Sequence, residues 1–535
     1  MSTEDVHDEV AEAIARARTQ QVGDIPRRSA RRVGTKTALV DGATRLSFAE
    51  FDATIDRVCA AWAADGLVKG DRVAIVSRNC WQFPVLSFAA ARSGLVFVPI
   101  NFMLKADEVA YILDHSEAAA LVVGPGLTDV AEQALARTTH HVPRRAGIGG
   151  SVAGHPASWA DVEEWMSWAA DGFSAPRLDD DEPIRLMYTS GTESRPKGVL
   201  LGSRSLMWQY MSCISTGGME TDDVEIHSLP LYHCAQMDNF LSTDVYLGAT
   251  SIILPGPDPR EVLRLIELER ATNYFAPPTV WISLLACEDF ATRDLTSLRK
   301  GYYGAAAMPP EVFREMDERL PNVRFWNFYG QTELASLATA LGPEDQRTRP
   351  GSAGRAALNV EIAIVDDEGR ELPAGEVGEI VHRSPQITLG YYRDPEKTSE
   401  AFSGGWFHSG DLGVLDEDGY LRVVDRKKDV IKTGGENVSS REVEDVLYEV
   451  DGVREAAVFG VPDPRWVEAV VAAVVPTGDG AVDEDHVIAY ARSRLAGFKA
   501  PKRVVFVDTL PKNPSGKILK RQLRDEFAGL MTEAS

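Results

Sequence analysis

From Ala38 onward, short apolar runs alternate with stretches of helical spacing, and this alternation constrains the fold more than any other feature. Arg72-Val73-Ala74-Ile75-Val76, Leu95-Val96-Phe97-Val98-Pro99-Ile100 and Ala120-Leu121-Val122-Val123 are apolar at nearly every position. A strand with one wetted face would alternate polar and apolar residues. An unbroken apolar run fits a strand buried on both faces, as in a parallel sheet covered by helices. Trp81 to Ser93 and Asp107 to His115, lying between these runs, have helical spacing. The pattern returns with Ser251-Ile252-Ile253-Leu254 and a helix from Pro259 to Arg270. An α/β fold with doubly wound sheets is therefore expected. Ahead of it, the first 35 or so residues read as an acidic amphipathic helix and then a basic, loop-like stretch from Arg27 to Lys36.

After about Pro350 the strands shorten and are punctuated by Gly and Pro, as in Val360 to Val365 and Gly378 to His382, which predicts a small β-barrel or sheet. A last unit has a helix from Ser440 to Val450, a strand from Ala469 to Val475 and a helix from Glu484 to Leu495. The expected division is a large N-terminal domain over 1–425, with the barrel part at 350–425, and a small α+β domain over 426–535.

The formal charge of -24 argues against a nucleic-acid partner, whose phosphates would be repelled. No apolar stretch approaches the roughly 18 residues of a membrane-spanning helix. The N-terminus has no basic segment followed by an apolar run, and the five cysteines show no CxxC or metal spacing, so a cytoplasmic protein with reduced thiols is expected. Within this acidic chain the last unit gathers positive residues at Arg426-Lys427-Lys428, Lys432, Lys499, Lys502-Arg503, Lys512, Lys517 and Lys520-Arg521. Their placement on Gly- and Pro-containing loops points to a phosphate-bearing ligand as well as to solvent.

The strongest local motif is Tyr188-Thr189-Ser190-Gly191-Thr192-Glu193-Ser194-Arg195-Pro196-Lys197-Gly198, set between two strand-like runs. Hydroxyls, backbone N–H groups and one lysine suit phosphate oxygens. The order of residues does not fit a Walker loop. It resembles the phosphate loop of the adenylate-forming superfamily, which includes acyl-CoA synthetases, peptide-synthetase adenylation domains and beetle luciferases. That family usually reads TSGTTGxPKG, so Glu193 and Ser194 depart from it. Further resemblances follow in the family's order: Gly304-Ala305-Ala306-Ala307-Met308-Pro309, Tyr329-Gly330-Gln331-Thr332-Glu333, Gly390-Tyr391-Tyr392, Trp406 with Ser409-Gly410-Asp411, Asp425-Arg426-Lys427-Lys428-Asp429 with Gly434-Gly435-Glu436-Asn437, and Leu510-Pro511-Lys512 with Ser515-Gly516-Lys517.

The resemblance implies a ligase that joins an apolar carboxylic acid to ATP as an acyl-adenylate and then passes it to coenzyme A. A carboxylate attacking an α-phosphate brings anion to anion, so positive charge must stand over both. Lys517 resembles the residue that supplies it. Thr332 is expected to donate to the α-phosphate and Glu333 to hold Mg2+. Thr189, Ser190, Gly191, Thr192 and Lys197 are expected to cradle the β- and γ-phosphates. Asp411 would accept the ribose hydroxyls with Arg426 reinforcing it. Tyr329 would offer a face to adenine, and Gly304, Ala305, Ala306 and Gly330 leave room for the base. A carboxylate at Glu193 facing a triphosphate at about 4 Å would cost about 4 kcal/mol at an effective dielectric near 20, so Glu193 is expected to turn away, pair with Arg195 or join the metal shell.

For the second half-reaction the resemblance implies that the last unit is mobile and rotates about Lys428, bringing Lys432 and the Gly434-Gly435 turn to the site. Leu229-Pro230-Leu231-Tyr232-His233 resembles the segment whose histidine borders the acyl pocket. Relatives that bind an amino acid place Asp just after it, and here stands Cys234. With Met237, Phe240, Tyr274, Trp281, Leu284, Tyr303 and Met308 nearby, a hydrophobic monocarboxylic acid is expected. Two other readings remain open: delivery of the acyl group to a carrier protein or partner, and a catalytically silent nucleotide-binding protein.

Overall fold

A computed structural model describes residues 10–531 except 12, 16, 190–195, 307, 428, 435, 464, 479–481, 514, 515 and 517. The chain divides into two units, each assembled from separated segments. The first comprises Met1–Tyr274, Gly330–Leu337 and Ser384–Thr398; the second comprises Phe275–Tyr329, Ala338–Arg383 and Ser399–Ser535.

The first unit contains an eight-stranded sheet in the order Gly390–Tyr391, Lys197–Gly202, Pro183–Thr189, Val96–Ile100, Arg72–Val76, Ala120–Val123, Arg144–Gly147, Ala160–Asp161. The strands from Pro183–Thr189 onward are parallel, and the first two are antiparallel additions at one edge. Burial on both faces explains the unbroken apolar runs. Val73 and Ile75 join the core beneath the helices Phe48–Ala64 and Gln82–Ser93, whereas Ala74 and Val76 join the core under Ala106–Ser116 and Thr128–Arg137. A second set of parallel strands, Thr37–Asp41, Thr250–Ile253 and Val224–His227, completes the doubly wound pattern. Ser47 starts the helix Phe48–Ala64 with a capping box: its side chain accepts from Glu50 N, and the Glu50 side chain accepts from Ser47 N.

One expectation is corrected here. Most of the basic stretch from Arg27 to Lys36 is helix, not loop, over Ile25–Val33. Pro26 stands in its first turn, and Ile25, Pro26 and Ser29 are buried. The Ser29 hydroxyl donates to Val245 O at 2.6 Å. The arginines lie around a narrow buried stripe, so the charge run concealed the helical period.

In the second unit, Lys300–Gly304 runs parallel to Arg324–Tyr329, and Thr339–Leu341 pairs antiparallel to the latter. The short-strand region forms a five-stranded antiparallel sheet from Glu361–Val365, Gly378–Arg383, Phe402–Ser403, Trp406–Leu415 and Leu421–Arg426. The C-terminal sheet centres on the long pair Val453–Asp463 and Val467–Pro476. Its two faces bury separate clusters, one holding Val443 and Leu447 of helix Ser440–Leu447 and the other holding Leu523 of helix Lys520–Glu526. Among the described residues no helix is long and apolar enough to cross a membrane.

Candidate active site

The strands Pro183–Thr189 and Lys197–Gly202 form an antiparallel hairpin in which Thr189 is paired with Lys197. A hydroxyl and a cation therefore stand opposite each other at its mouth. Ser190, Gly191, Thr192, Glu193, Ser194 and Arg195, which connect them, lie outside the described residues.

Tyr391, quoted in the sequence motif without a role, organises this corner. It pairs with Val199 at the sheet edge. Lys197 Nζ lies 5.3 Å from the centre of its ring, a cation–π distance. Its hydroxyl donates to Glu333 Oε1 at 3.0 Å. Burial, and then the Glu333 charge, push the phenol well above its ordinary pKa, so it remains a donor. Glu333 is also held through its main chain, because Thr388 N donates to Glu333 O at 2.7 Å. A half-buried carboxylate steadied on one oxygen by a neutral phenol is chemically suited to a hard cation that takes carboxylate and phosphate oxygens.

Thr332 begins the short 3-10 turn Thr332–Leu334 and is nearly buried. The two residues after the turn have left-handed or otherwise unfavourable backbone, with φ of 55° at Ala335 and 131° at Ser336. Such conformations persist only where packing imposes them, and both residues are buried. The Thr332 hydroxyl lies 3.3 Å from Cys234 Sγ.

His233 caps the turn Cys234–Gln236: its Nδ1 accepts from Ala235 N at 3.1 Å. With Nδ1 accepting, the hydrogen-bond network assigns the ring proton to Nε2. The loop before it is clamped by Asn79. Asn79 Nδ2 donates to Leu229 O at 2.8 Å and Leu254 O at 2.9 Å, and Asn79 Oδ1 accepts from Leu231 N at 2.8 Å. Just beyond, Arg185 and Asp238 form an ion pair buried in this unit, with the Tyr210 hydroxyl 3.1 Å from Asp238 Oδ1. Sequence reading missed Asn79, Arg185 and Asp238, since single polar residues in apolar surroundings carry no motif.

The second unit gathers Tyr329, Asp411 and Arg426. Tyr329 donates its hydroxyl to Asp411 Oδ2 at 2.7 Å, and Arg426 Nε lies 3.2 Å from Asp411 Oδ1. Gly410, with φ of 71°, makes the bend before Asp411. Behind the Tyr329 ring, 6.5 Å away, sits His382, fully buried, with neither ring nitrogen hydrogen-bonded. Burial lowers its pKa to about 3. At Gly304 a Cβ would lie 2.4 Å from Phe328 O, so this glycine lets two strands approach. Ala305 and Ala306 follow it, exposed, with Ala305 at φ 64°. Gly330, also exposed, follows Tyr329.

Lys432 and Gly434 make a further group on the hairpin of Ile431–Thr433 and Glu436–Val438. Lys432 N donates to Glu468 Oε2 at 2.7 Å, and Gly434 N donates to Trp466 O at 2.8 Å. Gly435, Lys428 and Lys517 lie outside the described residues. Gly516, next to Lys517, packs so closely on the segment after Phe275 that a Cβ there would lie 2.8 Å from Pro277 Cγ and 3.0 Å from Thr279 Oγ1.

Of the residues expected around the acid, His233 is half-buried and the apolar and aromatic ones are buried. In the first unit, Tyr274 has its hydroxyl 2.9 Å from Ser228 Oγ, beside buried Met237 and Phe240. In the second, Trp281 Nε1 donates to Tyr302 O at 3.1 Å, and the Tyr303 hydroxyl donates to Gln346 Oε1 at 2.6 Å. Their polar groups are bonded within the protein.

Comparison with known proteins matches residues 26–392 to the AMP-binding enzyme family and residues 442–517 to the AMP-binding enzyme C-terminal domain. Over 513 residues the chain is 37% identical to a feruloyl-CoA synthase from Amycolatopsis sp, covering 95% of this chain and all of the relative (100%). It is 35% identical over 484 residues to the long-chain-fatty-acid–CoA ligase FadD13 of Mycobacterium tuberculosis, covering 90% and 93% of the two chains. The crystal structure of ATP-bound MatB from Rhodopseudomonas palustris is similar to it with a TM-score of 0.86 at 30% identity, covering 96% of this chain and 100% of that one.

Proposed function

The chain belongs to the AMP-binding family of adenylate-forming enzymes and is an AMP-forming acyl-CoA synthetase, and from that premise we propose that its substrate is an apolar monocarboxylic acid. The observation that carries the ATP-dependent part of this reading is the chain of contacts from Lys197 through Tyr391 to Glu333, with Thr332 beside it, because it collects a cation, a carboxylate and a hydroxyl from three distant segments. That donor set suits a triphosphate and its metal. The apolar surfaces of Met237, Phe240 and Tyr274, and separately of Trp281 and Tyr303, suit an acid with one carboxylate and no second charge.

In the proposed reaction a carboxylate oxygen of the acid attacks the α-phosphorus of ATP, pyrophosphate leaves, and acyl-AMP forms. Lys197 and Thr189, with Ser190, Gly191 and Thr192, take the β- and γ-phosphates. Thr332 donates to an α-phosphate oxygen, and Lys517 places its charge where the two anions meet. Glu333 would hold Mg2+, which when bound neutralises phosphate charge. Asp411, set by Tyr329 and Arg426, takes the ribose hydroxyls, while Tyr329, Gly330, Gly304, Ala305 and Ala306 border the adenine. His233 Nε2–H faces the acid as a neutral donor. The unit 426–535 then turns about Lys428, and Lys432 with Gly434 and Gly435 serves the second step. There the CoA sulfur attacks the acyl carbonyl carbon and AMP leaves.

The test is pyrophosphate and AMP release, screened over hydrophobic acids with and without CoA, for the parent and Lys517→Ala. Acid-dependent pyrophosphate, thioester only with CoA, and a loss of adenylation of about two to three orders of magnitude in the variant are expected. Adenylate that accumulates despite CoA would transfer the acyl group to a carrier protein instead. No pyrophosphate with any acid, despite ATP binding, would leave a silent nucleotide-binding protein.

A further inference from the structure

The residue following His233 is a cysteine with almost no exposure, and its sulfur touches the hydroxyl assigned to the α-phosphate. Cys234 Sγ and Thr332 Oγ1 are 3.3 Å apart, a short distance for a thiol–hydroxyl hydrogen bond. A nitrogen near the sulfur, His233 Nδ1, is more distant at 3.8 Å and already accepts from Ala235 N. Ser336 reaches the sulfur as well, from the strained backbone that ends the Thr332 turn. The contact thus ties the loop bordering the acid to the turn that carries Thr332 and Glu333.

A threonine hydroxyl has one hydrogen. If it gives that hydrogen to sulfur, none remains for phosphate; if it accepts from the thiol, its own hydrogen is free. An anionic phosphate oxygen is a far better acceptor than a thiol sulfur. We propose that Cys234 is a positioning residue whose thiol donates to Thr332 Oγ1 and so turns the Thr332 hydrogen toward the α-phosphate oxygen, a role that rests on the acyl-adenylate reading above. Burial pushes the thiol up to about 12, so the sulfur carries its hydrogen throughout the working pH range. Serine in this place could donate in the same way, whereas alanine could not.

The experiment is acid-dependent ATP–pyrophosphate exchange in the parent, Cys234→Ser, Cys234→Ala, Thr332→Ala and the double variant Cys234→Ala/Thr332→Ala, with thermal melting of each. Cys234→Ala is expected to lower kcat about tenfold with KM for ATP within about twofold, the signature of a contact made in the transition state. Cys234→Ser should retain exchange within about threefold, and Cys234→Ala should cost nothing further once Thr332 is alanine. Equal losses in the serine and alanine variants, or an undiminished loss in the Thr332→Ala background, would overturn the role of Cys234 alone. A parent that melts normally but exchanges no pyrophosphate with any acid would overturn the acyl-adenylate reading, and this inference with it.

Discussion

In the first unit, opposite charges are steadied by a neutral group: Lys197 lies over the Tyr391 ring and Glu333 accepts the Tyr391 hydroxyl. In the second, Asp411 is held by a charge, with Arg426 beside one oxygen and the Tyr329 hydroxyl on the other. The difference follows the chemistry each group is proposed to meet. Phosphates and a metal are themselves charged, and the lysine and carboxylate proposed to meet them share one neutral contact, the Tyr391 side chain. Ribose hydroxyls are neutral, and a carboxylate already balanced by an arginine can receive them without leaving a buried charge uncompensated.

The sharpest way to break this contrast is to remove charge from the first group. Glu333→Gln keeps an acceptor for Tyr391 but forfeits the charge, and kcat for pyrophosphate release should fall about two to three orders of magnitude. Pyrophosphate release over a Mg2+ titration measures it; a loss under tenfold would remove Glu333 from its assigned place. In the second group, Asp411→Asn should raise KM for ATP about thirtyfold, corresponding to about 2 kcal/mol for hydrogen bonds to a charged group. An unchanged KM would show that the carboxylate serves Arg426 and Tyr329 only. Tyr391→Phe leaves the ring under Lys197 but removes the hydroxyl that donates to Glu333 Oε1, for an expected loss of about fivefold in kcat/KM, near 1 kcal/mol. If Tyr391→Phe matched Glu333→Gln, the phenol would be acting on the reacting groups directly.

The smallest effect is on stability, not rate. His382, behind Tyr329, has its pKa lowered to about 3 by burial, whereas an unfolded imidazole titrates near about 6.5. Between those values the unfolded chain binds the extra proton, so stability is complete above the unfolded value and is lost as pH falls toward the folded one. His382→Val should flatten the dependence of the urea-unfolding free energy by about 1.4 kcal/mol per pH unit between pH 5.5 and 4. Parallel slopes for parent and variant would show that the imidazole is not held neutral.

Local patterns were legible. The runs at 73–76 and Ala120–Val123 announced two-sided burial because every position must be apolar there. The helix Ile25–Val33 was not, because its arginines outnumber the buried positions that set the period. The site divides in the same way. Thr189 and Lys197 are near in sequence and pair across one hairpin, so one contiguous motif holds both. The roles of Tyr391 and Tyr329 emerge from contacts to Glu333 and Asp411 across 58 and 82 positions, a relation that no local spacing encodes. Gly304 fits its motif for a reason that only packing reveals, the close approach of Phe328 O.

The edge strand Gly390–Tyr391 also orders events during synthesis. It covers Lys197–Gly202, whose own sequence, with Val199, Leu200 and Leu201, would otherwise present an apolar strand with open hydrogen-bonding groups. Roughly 190 residues separate the two segments, so at about 5–20 residues per second a ribosome leaves that edge bare for about 10–40 s. During this interval the nascent chain carries a ready template for pairing with a neighbour. The step that removes the hazard is the same one that seats Tyr391 beneath Lys197, so safe assembly and the contact proposed to serve the phosphates arrive together.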